Sequence, residues 1–278
     1  MGNLGAVAYL NQKNLPPAEK QFAKLHAAGF DYVSAPCTGN EPVEAWVRQA
    51  QSAGLTFLAL NTPATPRLDQ LWLPGIPGDA LVAELCNRIE RAGKAGIPYF
   101  VLFPTGEKHS VPASQAGLTR LRRLAAFARE CSVRLCFENR RAEEHLHLAL
   151  AVCGEEHGLC FSSAANAALT PESNPVTAYA HALRLVYLAD CDLNHPNERE
   201  THLLPFDGSI PWEKTAATLH RIGYTGPLLL DVPYPDKADG YDSFLARAYD
   251  RMRRIAAAVR DGTPLLRYRE ETGNFKEL

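Results

Sequence analysis

The sequence has few of the features that mark export, membrane insertion or nucleic-acid binding. No uninterrupted apolar run approaches the roughly 20 residues that span a bilayer. The N-terminus lacks the basic start and long apolar core of a signal peptide. The formal net charge of -2 supplies no basic field that would attract nucleic acid. These absences predict a cytoplasmic protein that has neither nucleic acid nor a membrane as a partner.

The seven cysteines are odd in number and include no Cys-x-x-Cys pair. Cys136 and Cys160 lie inside apolar runs, where cysteine behaves as a small hydrophobic residue. None of the seven sits in a recognisable nucleophile motif. We therefore expect free thiols in a reducing compartment, without disulfides and without a catalytic cysteine.

What the sequence does contain is an alternation of short apolar runs with longer segments of helical period. Apolar runs of this length are typical of parallel strands that are buried on both faces. The eight runs are residues 5–9, 32–35, 56–60, 99–103, 133–137, 158–161, 185–188 and 227–230. The chain has 278 residues and no shift in composition. We therefore predict an α/β protein, with one (β/α)8 TIM barrel domain over residues 1–278.

Three local signals add detail to this barrel. Asn14, followed by Pro16 and Pro17, predicts the start of the first helix. Ala-Gly pairs just before strands, such as Ala28-Gly29, fit the left-handed residue that ends a helix. The polar segment after Gly262 is expected to pack on the barrel or to serve a homo-oligomer contact.

The catalytic residues of a (β/α)8 barrel collect at the carboxyl ends of its strands. Glu200 and His202 are expected above this rim, in the loop after the seventh strand. The residues at the strand ends are Tyr9, Pro36, Asn61, Phe103, Glu138, Ser162, Asp190 and Asp231. A single acid at a strand end is often only solvated by water or serves as a helix cap. Several acids on one rim need a cation, a proton or a ligand, because like charges repel each other. Carboxylates and an imidazole are also the ligands that divalent metals accept.

Several segments resemble the xylose isomerase-like sugar isomerases and epimerases. Phe137-Glu138-Asn139 is similar to that family's fifth-strand Glu-Asn, whose Glu is a metal ligand. Residues 200–208 resemble its acid-x-His and Pro-x-x-Gly loop, and Asp231 falls where the family has its last ligand, a Glu. The resemblance covers nearly the whole chain and is most specific from Phe137 onward.

The resemblance implies roles for individual residues. Glu138 and Asp231 would be the catalytic acids that move a substrate proton. A divalent ion (Mn, Mg, Co or Zn) would have Glu138, Asp231 and His202 as its candidate ligands. The candidates for binding the substrate are Asn61, Ser162, Tyr187, Asp190, Glu200 and His202.

The chain departs from the family at half of the four ligand positions. These positions read Glu138, Ser162, Tyr187 and Asp231, where relatives carry Glu, Asp, His and Glu. Neutral Ser and Tyr hydroxyls bind divalent ions poorly, and the side chain of Asp231 is one C–C bond, roughly 1.5 Å, shorter than that of Glu. The sequence therefore leaves the cofactor undetermined, because the predicted metal site is incomplete.

Two functions stay open. The first is an isomerase/epimerase-family protein with an altered or lost metal site, which binds a small sugar or polyol in the barrel mouth. The alternative is an active metal-dependent sugar (phosphate) isomerase or epimerase that uses Glu138 and Asp231 as its acid/base pair. An apurinic-site endonuclease shares the fold and uses three zinc ions. We reject it, because Asn61, Phe103 and Tyr187 would have to be ligands and the chain has no nucleic-acid face.

Charge balance in the mouth gives a further expectation. If Glu138 and Asp231 share an enclosed mouth without a metal, two ionised carboxylates disfavour each other. We therefore expect either a raised pKa for at least one acid or a basic side chain close by. His202 is the candidate for that positive charge.

Overall fold

A computed structural model describes residues 3–106, 111–140, 143–194, 201–235 and 240–265. Eight parallel strands close into a barrel in which each strand pairs with its sequence neighbours and the last pairs with the first. The strands are β1 (Leu4–Val7), β2 (Tyr32–Pro36), β3 (Thr56–Asn61), β4 (Tyr99–Leu102), β5 (Arg134–Glu138), β6 (Gly158–Ser162), β7 (Leu183–Leu188) and β8 (Leu228–Leu230). All eight predicted strands are present, so the predicted (β/α)8 TIM barrel is confirmed.

Helices alternate with these strands and cover the outside of the barrel. They are α1 (Ala18–Ala28), α2 (Val43–Ser52), α3 (Ile76–Lys94), α4 (Gln115–Glu130), α5 (Glu143–Cys153), α6 (Ser163–Leu169), α7 (Pro175–Ala178), α8 (Trp212–Arg221) and α9 (Tyr241–Asp261), with 3₁₀ helices at Pro66–Leu71 and Ala180–Ala182. In α3, Leu81, Leu85 and Ile89 are buried at helical spacing. Across the described ranges, no helix combines the length and the apolar character that crossing a bilayer requires.

The barrel interior is filled by a compact cluster of buried side chains. Its members are Val7, Leu58, Ala59, Val101, Cys136, Cys160, Leu185, Tyr187 and Leu229. All seven cysteines are free thiols, as expected from the sequence. Burial raises the pKa of the Cys136 thiol to about 12, so this thiol stays protonated at neutral pH. The interior cysteines therefore act as small packing residues.

The first helix begins later than the sequence predicts. Helix α1 starts at Ala18 with Pro17 as its N-cap, and no side chain caps its first turn, so the predicted Asn14 cap is wrong. The reason lies in the two prolines, because a residue that precedes a proline is disfavoured in the helical conformation. The other end of α1 is as predicted, since Gly29 follows it in the left-handed conformation with a φ of 109°.

One buried carboxylate organises the loop between β2 and α2. Glu41 accepts hydrogen bonds from the backbone N–H groups of Thr38 and Gly39 and from the Thr38 hydroxyl, at 2.5 to 2.8 Å. Burial by itself would raise the pKa of this acid. The hydrogen bonds from Thr38 and Gly39 outweigh burial and lower the pKa from 4.5 to about 2.

Replacing Glu41 with glutamine is expected to lower the free energy of unfolding by ~2 kcal/mol at pH 7. Because the pKa is lower in the folded state, this stabilisation is present above pH 4.5 and is lost as the pH falls towards 2. Urea unfolding of wild type and Glu41→Gln at pH 7 and pH 3 measures the change. Glu130→Gln, at an exposed position on α4, is the control. A Glu41→Gln difference that is equal at both pH values would contradict the prediction.

Candidate functional site at the barrel mouth

The predicted acids lie at the C-terminal ends of the strands. Glu138 is the last residue of β5, and Asp231 directly follows β8, where its backbone N–H donates to the Leu188 carbonyl. Asn61 ends β3 and contacts a residue of β7 across the mouth, because the Tyr187 hydroxyl donates to Asn61 Oδ1 at 2.7 Å. These four predicted residues therefore face one mouth.

Asp231 is the centre of a hydrogen-bonded network in this mouth. The Tyr9 hydroxyl donates to Asp231 Oδ1 at 2.6 Å. His202 Nδ1 lies 3.2 Å from Asp231 Oδ2 and 2.6 Å from the Asp231 carbonyl oxygen. Both of these oxygens are acceptors, so Nδ1 carries a hydrogen. The loop between β7 and α8 thus brings His202 onto the acid that follows β8.

The surroundings of Asp231 keep its carboxylate ionised. Burial alone would raise its pKa, but the charge and hydrogen bond of His202, the Tyr9 hydroxyl and the charge of Arg140 together lower it below the ordinary value of 3.8. The pKa of Tyr9 moves the other way, well above 10.0, because of burial and then of Asp231 and Glu138. At neutral pH the pair is therefore a carboxylate that accepts a hydrogen bond from a neutral phenol.

Glu138 shares this environment. Its side chain is buried, with the residue only 5% exposed. Burial is the main cause of the raised pKa of both Tyr9 and Tyr187, and the negative charges of Glu138 and Asp231 add to it at each hydroxyl. The two acids therefore lie close enough to each other to raise the pKa of the same two phenols.

Arg140 is a member of the mouth that the sequence analysis did not identify. Its guanidinium carbon lies 5.3 Å from the centre of the Phe103 ring, and its charge contributes to the lowered pKa of Asp231. The signal in the sequence was the cation two residues after Glu138. Together with His202, Arg140 is the kind of basic side chain that charge balance led us to expect near the acids.

Ser162 is held in place by the residue that follows Glu138. Asn139 Oδ1 accepts from the Ser162 backbone N–H at 2.6 Å, and Asn139 Nδ2 donates to the Ser162 carbonyl at 3.2 Å. The Ser162 hydroxyl accepts from the Ala165 N–H at 3.3 Å and so caps α6. Both Ser162 and Asn139 are buried.

Asp190 turns both carboxylate oxygens towards the loop between β7 and α8. Oδ1 accepts from the backbone N–H groups of Cys191 and Ile210 at 2.9 and 3.0 Å. Oδ2 accepts from the Phe206 N–H at 2.9 Å and from the Trp212 indole N–H at 2.7 Å. These four bonds hold the loop that carries His202, and a contact of Asp190 with substrate remains a prediction. Glu200 lies outside the described residues.

The metal-ligand role of Glu138, Asp231 and His202 remains a prediction. Within the described part of the chain, no three His, Cys, Asp or Glu side chains lie together as a metal site would require. Glu138, Asp231 and His202 therefore do not form such a group. His202 Nδ1 uses its hydrogen on the carboxylate and the carbonyl oxygen of Asp231, so only Nε2 of this residue could offer a lone pair to a metal.

Comparison with known proteins places this barrel in a family. The xylose isomerase-like TIM barrel family matches residues 22–248. A search of curated proteins found no significant match.

Similar solved structures share the fold at low sequence identity. A xylose isomerase domain protein from Planctomyces limnophilus has a TM-score of 0.74 at 17% identity, covering 93% of this chain and 98% of its own. D-psicose 3-epimerase from Clostridium cellulolyticum H10, solved with D-tagatose, has a TM-score of 0.72 at 14% identity, covering 93% and 99%. An L-ribulose 3-epimerase has a TM-score of 0.74 at 14% identity, covering 94% and 97%. The matched residues span most of the chain, and the protein belongs to the xylose isomerase-like TIM barrel family.

Proposed function

We propose that this protein is a member of the sugar isomerase/epimerase family with an altered divalent-metal site, and that its barrel mouth binds a small sugar or polyol. The observation that carries the proposal is the position of Asp231 between Tyr9 and His202. This carboxylate is ionised and is balanced by protein side chains. A polyhydroxylated ligand would meet the carboxylates as acceptors and the Arg140 guanidinium as a donor.

The chemistry of the four ligand positions supports the altered metal site. Tyr187 has a pKa well above 10.0, mainly because of burial, so its hydroxyl is neutral and donates to Asn61. The Ser162 hydroxyl is used as a helix cap. Only Glu138 and Asp231 remain as anionic donors at these positions, which is half of the family's four-ligand set. The residues present therefore do not fit the family's metal site.

The chain's own residues have defined tasks under this proposal. Asp231 and Glu138 accept hydrogen bonds from ligand hydroxyls. Tyr9 and His202 fix the orientation of Asp231, and Arg140 supplies a positive charge beside it. The hydrogen bond from Tyr187 to Asn61 joins β7 to β3 across the barrel.

The alternative is an active isomerase or epimerase in which Glu138 and Asp231 exchange the substrate proton. One observation favours it, because both acids act on the pKa of the same Tyr9 hydroxyl and so share one space. The two functions differ in metal content and turnover. Measuring both properties on one preparation separates them.

Protein purified without chelator is expected to contain far less than one equivalent of Mn, Mg, Co or Zn per chain by mass spectrometry. Calorimetric titration with ketopentoses, ketohexoses and their polyols is expected to show binding that survives EDTA. Stoichiometric metal together with epimerisation that EDTA abolishes would establish the alternative. Absence of both binding and turnover across these ligands would refute both functions.

Tyr9→Phe is expected to weaken sugar or polyol binding about tenfold, because it removes the hydrogen bond that orients Asp231. Tyr32→Phe is the matched control, since the Tyr32 hydroxyl donates to Asn3 at the opposite end of the barrel. The same titrations measure both variants. Equal affinity for Tyr9→Phe and Tyr32→Phe would remove Tyr9 from the site.

A further inference from the structure

A separate cavity of about 240 Å³ lies outside the barrel, between the carboxyl end of β3 and helix α3. Thr62 lines it and directly follows Asn61, whose side chain faces the barrel mouth. The Thr62 N–H still bonds to the Val101 carbonyl of β4, so the pleat continues and consecutive side chains point to opposite faces. The backbone of β3 therefore separates this cavity from the mouth.

Thr62 presents a polar atom that the protein leaves unsatisfied. The residue is 4% exposed, and its hydroxyl has no hydrogen-bond partner among the residues that the structure describes. A buried hydroxyl without a partner costs ~1–3 kcal/mol of stability. A ligand in the cavity would give that hydroxyl a partner.

The charged walls of the cavity favour an anion. Arg67 and Arg88 line it together with a single acid, Glu84, so the charged lining carries one net positive charge. Arg67 pairs with Glu84 at 2.7 Å and Arg88 lies 3.8 Å from it, so one carboxylate is shared between two guanidinium groups. The Arg88 side chain is only 15% exposed, which limits the screening of its charge by water. The remaining arginine donors can serve a second anion.

The size of the cavity limits the ligand to a small group. Pockets for drug-sized molecules hold about 300–1,000 Å³. We propose that the cavity lined by Thr62, Arg67 and Arg88 binds a small oxyanion, the phosphate or carboxylate group of a metabolite. Arginine groups suit this role because their N–H donors match the spacing of oxyanion oxygens. The site lies outside the barrel and does not depend on the function proposed for the mouth.

Calorimetric titration with inorganic phosphate and with acetate, at fixed ionic strength in sodium chloride, tests this site. Wild-type protein is expected to bind one of these anions once per chain. Thr62→Val keeps the shape and removes the hydroxyl, and it is expected to weaken binding about tenfold, as is Arg67→Gln. Glu84→Gln removes the competing negative charge and is expected to strengthen binding.

Arg129→Gln is the matched control, because Arg129 is also an exposed arginine in an ion pair, with Glu156 at 2.5 Å. Its affinity for the anion is expected to equal that of wild type. Thermal melts verify that Thr62→Val is folded, and an increase in its stability would agree with removal of an unsatisfied hydroxyl. Tighter phosphate binding would identify a phosphate site, and tighter acetate binding a carboxylate site. Absence of binding to wild type, or binding to Thr62→Val and Arg67→Gln that is as tight as to wild type, would overturn the proposal.

Discussion

Replacing Asp190 with alanine is expected to lower the free energy of unfolding by ~4 kcal/mol, because four donors, three of them buried, lose their acceptor together. Asp190 is fully buried, and its oxygens accept from three backbone N–H groups and from the Trp212 indole. Urea unfolding followed by tryptophan fluorescence measures the loss. Because the same loop carries His202, the variant is also expected to bind sugars or polyols more weakly.

Two further variants define this effect. Asp190→Asn keeps one acceptor oxygen and turns an amide N–H₂ towards the remaining donors. Its free energy of unfolding should therefore lie between those of wild type and Asp190→Ala. Asp31→Ala, at an exposed position, is the control and should change stability by less than ~0.5 kcal/mol. If Asp190→Ala unfolds at the same urea concentration as Asp31→Ala, the carboxylate does not hold the loop.

Asp231→Asn is expected to weaken ligand binding in the mouth about 30-fold, since it removes the charge of the central acceptor and retains its shape. Its neighbours Tyr9, His202 and Arg140 would keep their positions but lose the anion that balances them. Asp242→Asn is the control, because Asp242 forms an exposed ion pair with Lys24 at 2.6 Å. Calorimetric titration with the best wild-type ligand measures the change. Unchanged affinity for Asp231→Asn would place the ligand elsewhere.

The effect of Asp231→Asn on the free energy of unfolding is expected to depend on pH. The pKa of Asp231 is lowered in the folded state, so its ionised form stabilises the fold above the ordinary value of 3.8, and this contribution is lost as the pH falls through the folded value. The side chain is 13% exposed, and we expect Asp231→Asn to cost ~1–2 kcal/mol at pH 7. Urea unfolding at pH 7 and pH 3 should show that the difference narrows in acid. A difference that widens in acid would contradict the lowered pKa.

The barrel could be predicted from the sequence because its strands are buried on both faces. That burial forces short apolar runs such as Thr56–Asn61, and the helices between them carry an apolar stripe. Rim positions such as Glu138 and Asp231 follow from the strand ends alone. Residues at strand ends are fixed by the register of the sheet, which the hydrophobic pattern largely determines.

The partners of these residues could not be predicted in the same way. Asp190 lies near the end of a strand, as Asp231 does. Its carboxylate, however, accepts hydrogen bonds from the backbone of the loop between β7 and α8. Arg140 reaches Phe103 because of the path of the chain after β5. The direction of a loop depends on turns and long-range hydrogen bonds that leave no periodic pattern in the sequence.

The two hydrogen bonds between the Asn139 amide and the backbone of Ser162 have a consequence for which residues position 162 can accept. Both main-chain groups of residue 162 are held by one neighbouring amide, so the location of that residue is secured independently of its own side chain. The hydroxyl caps α6, and an aspartate is an equally good cap. Exchange between serine and aspartate here would therefore keep both the backbone position and the helix cap, and its cost would lie in placing another carboxylate beside Glu138.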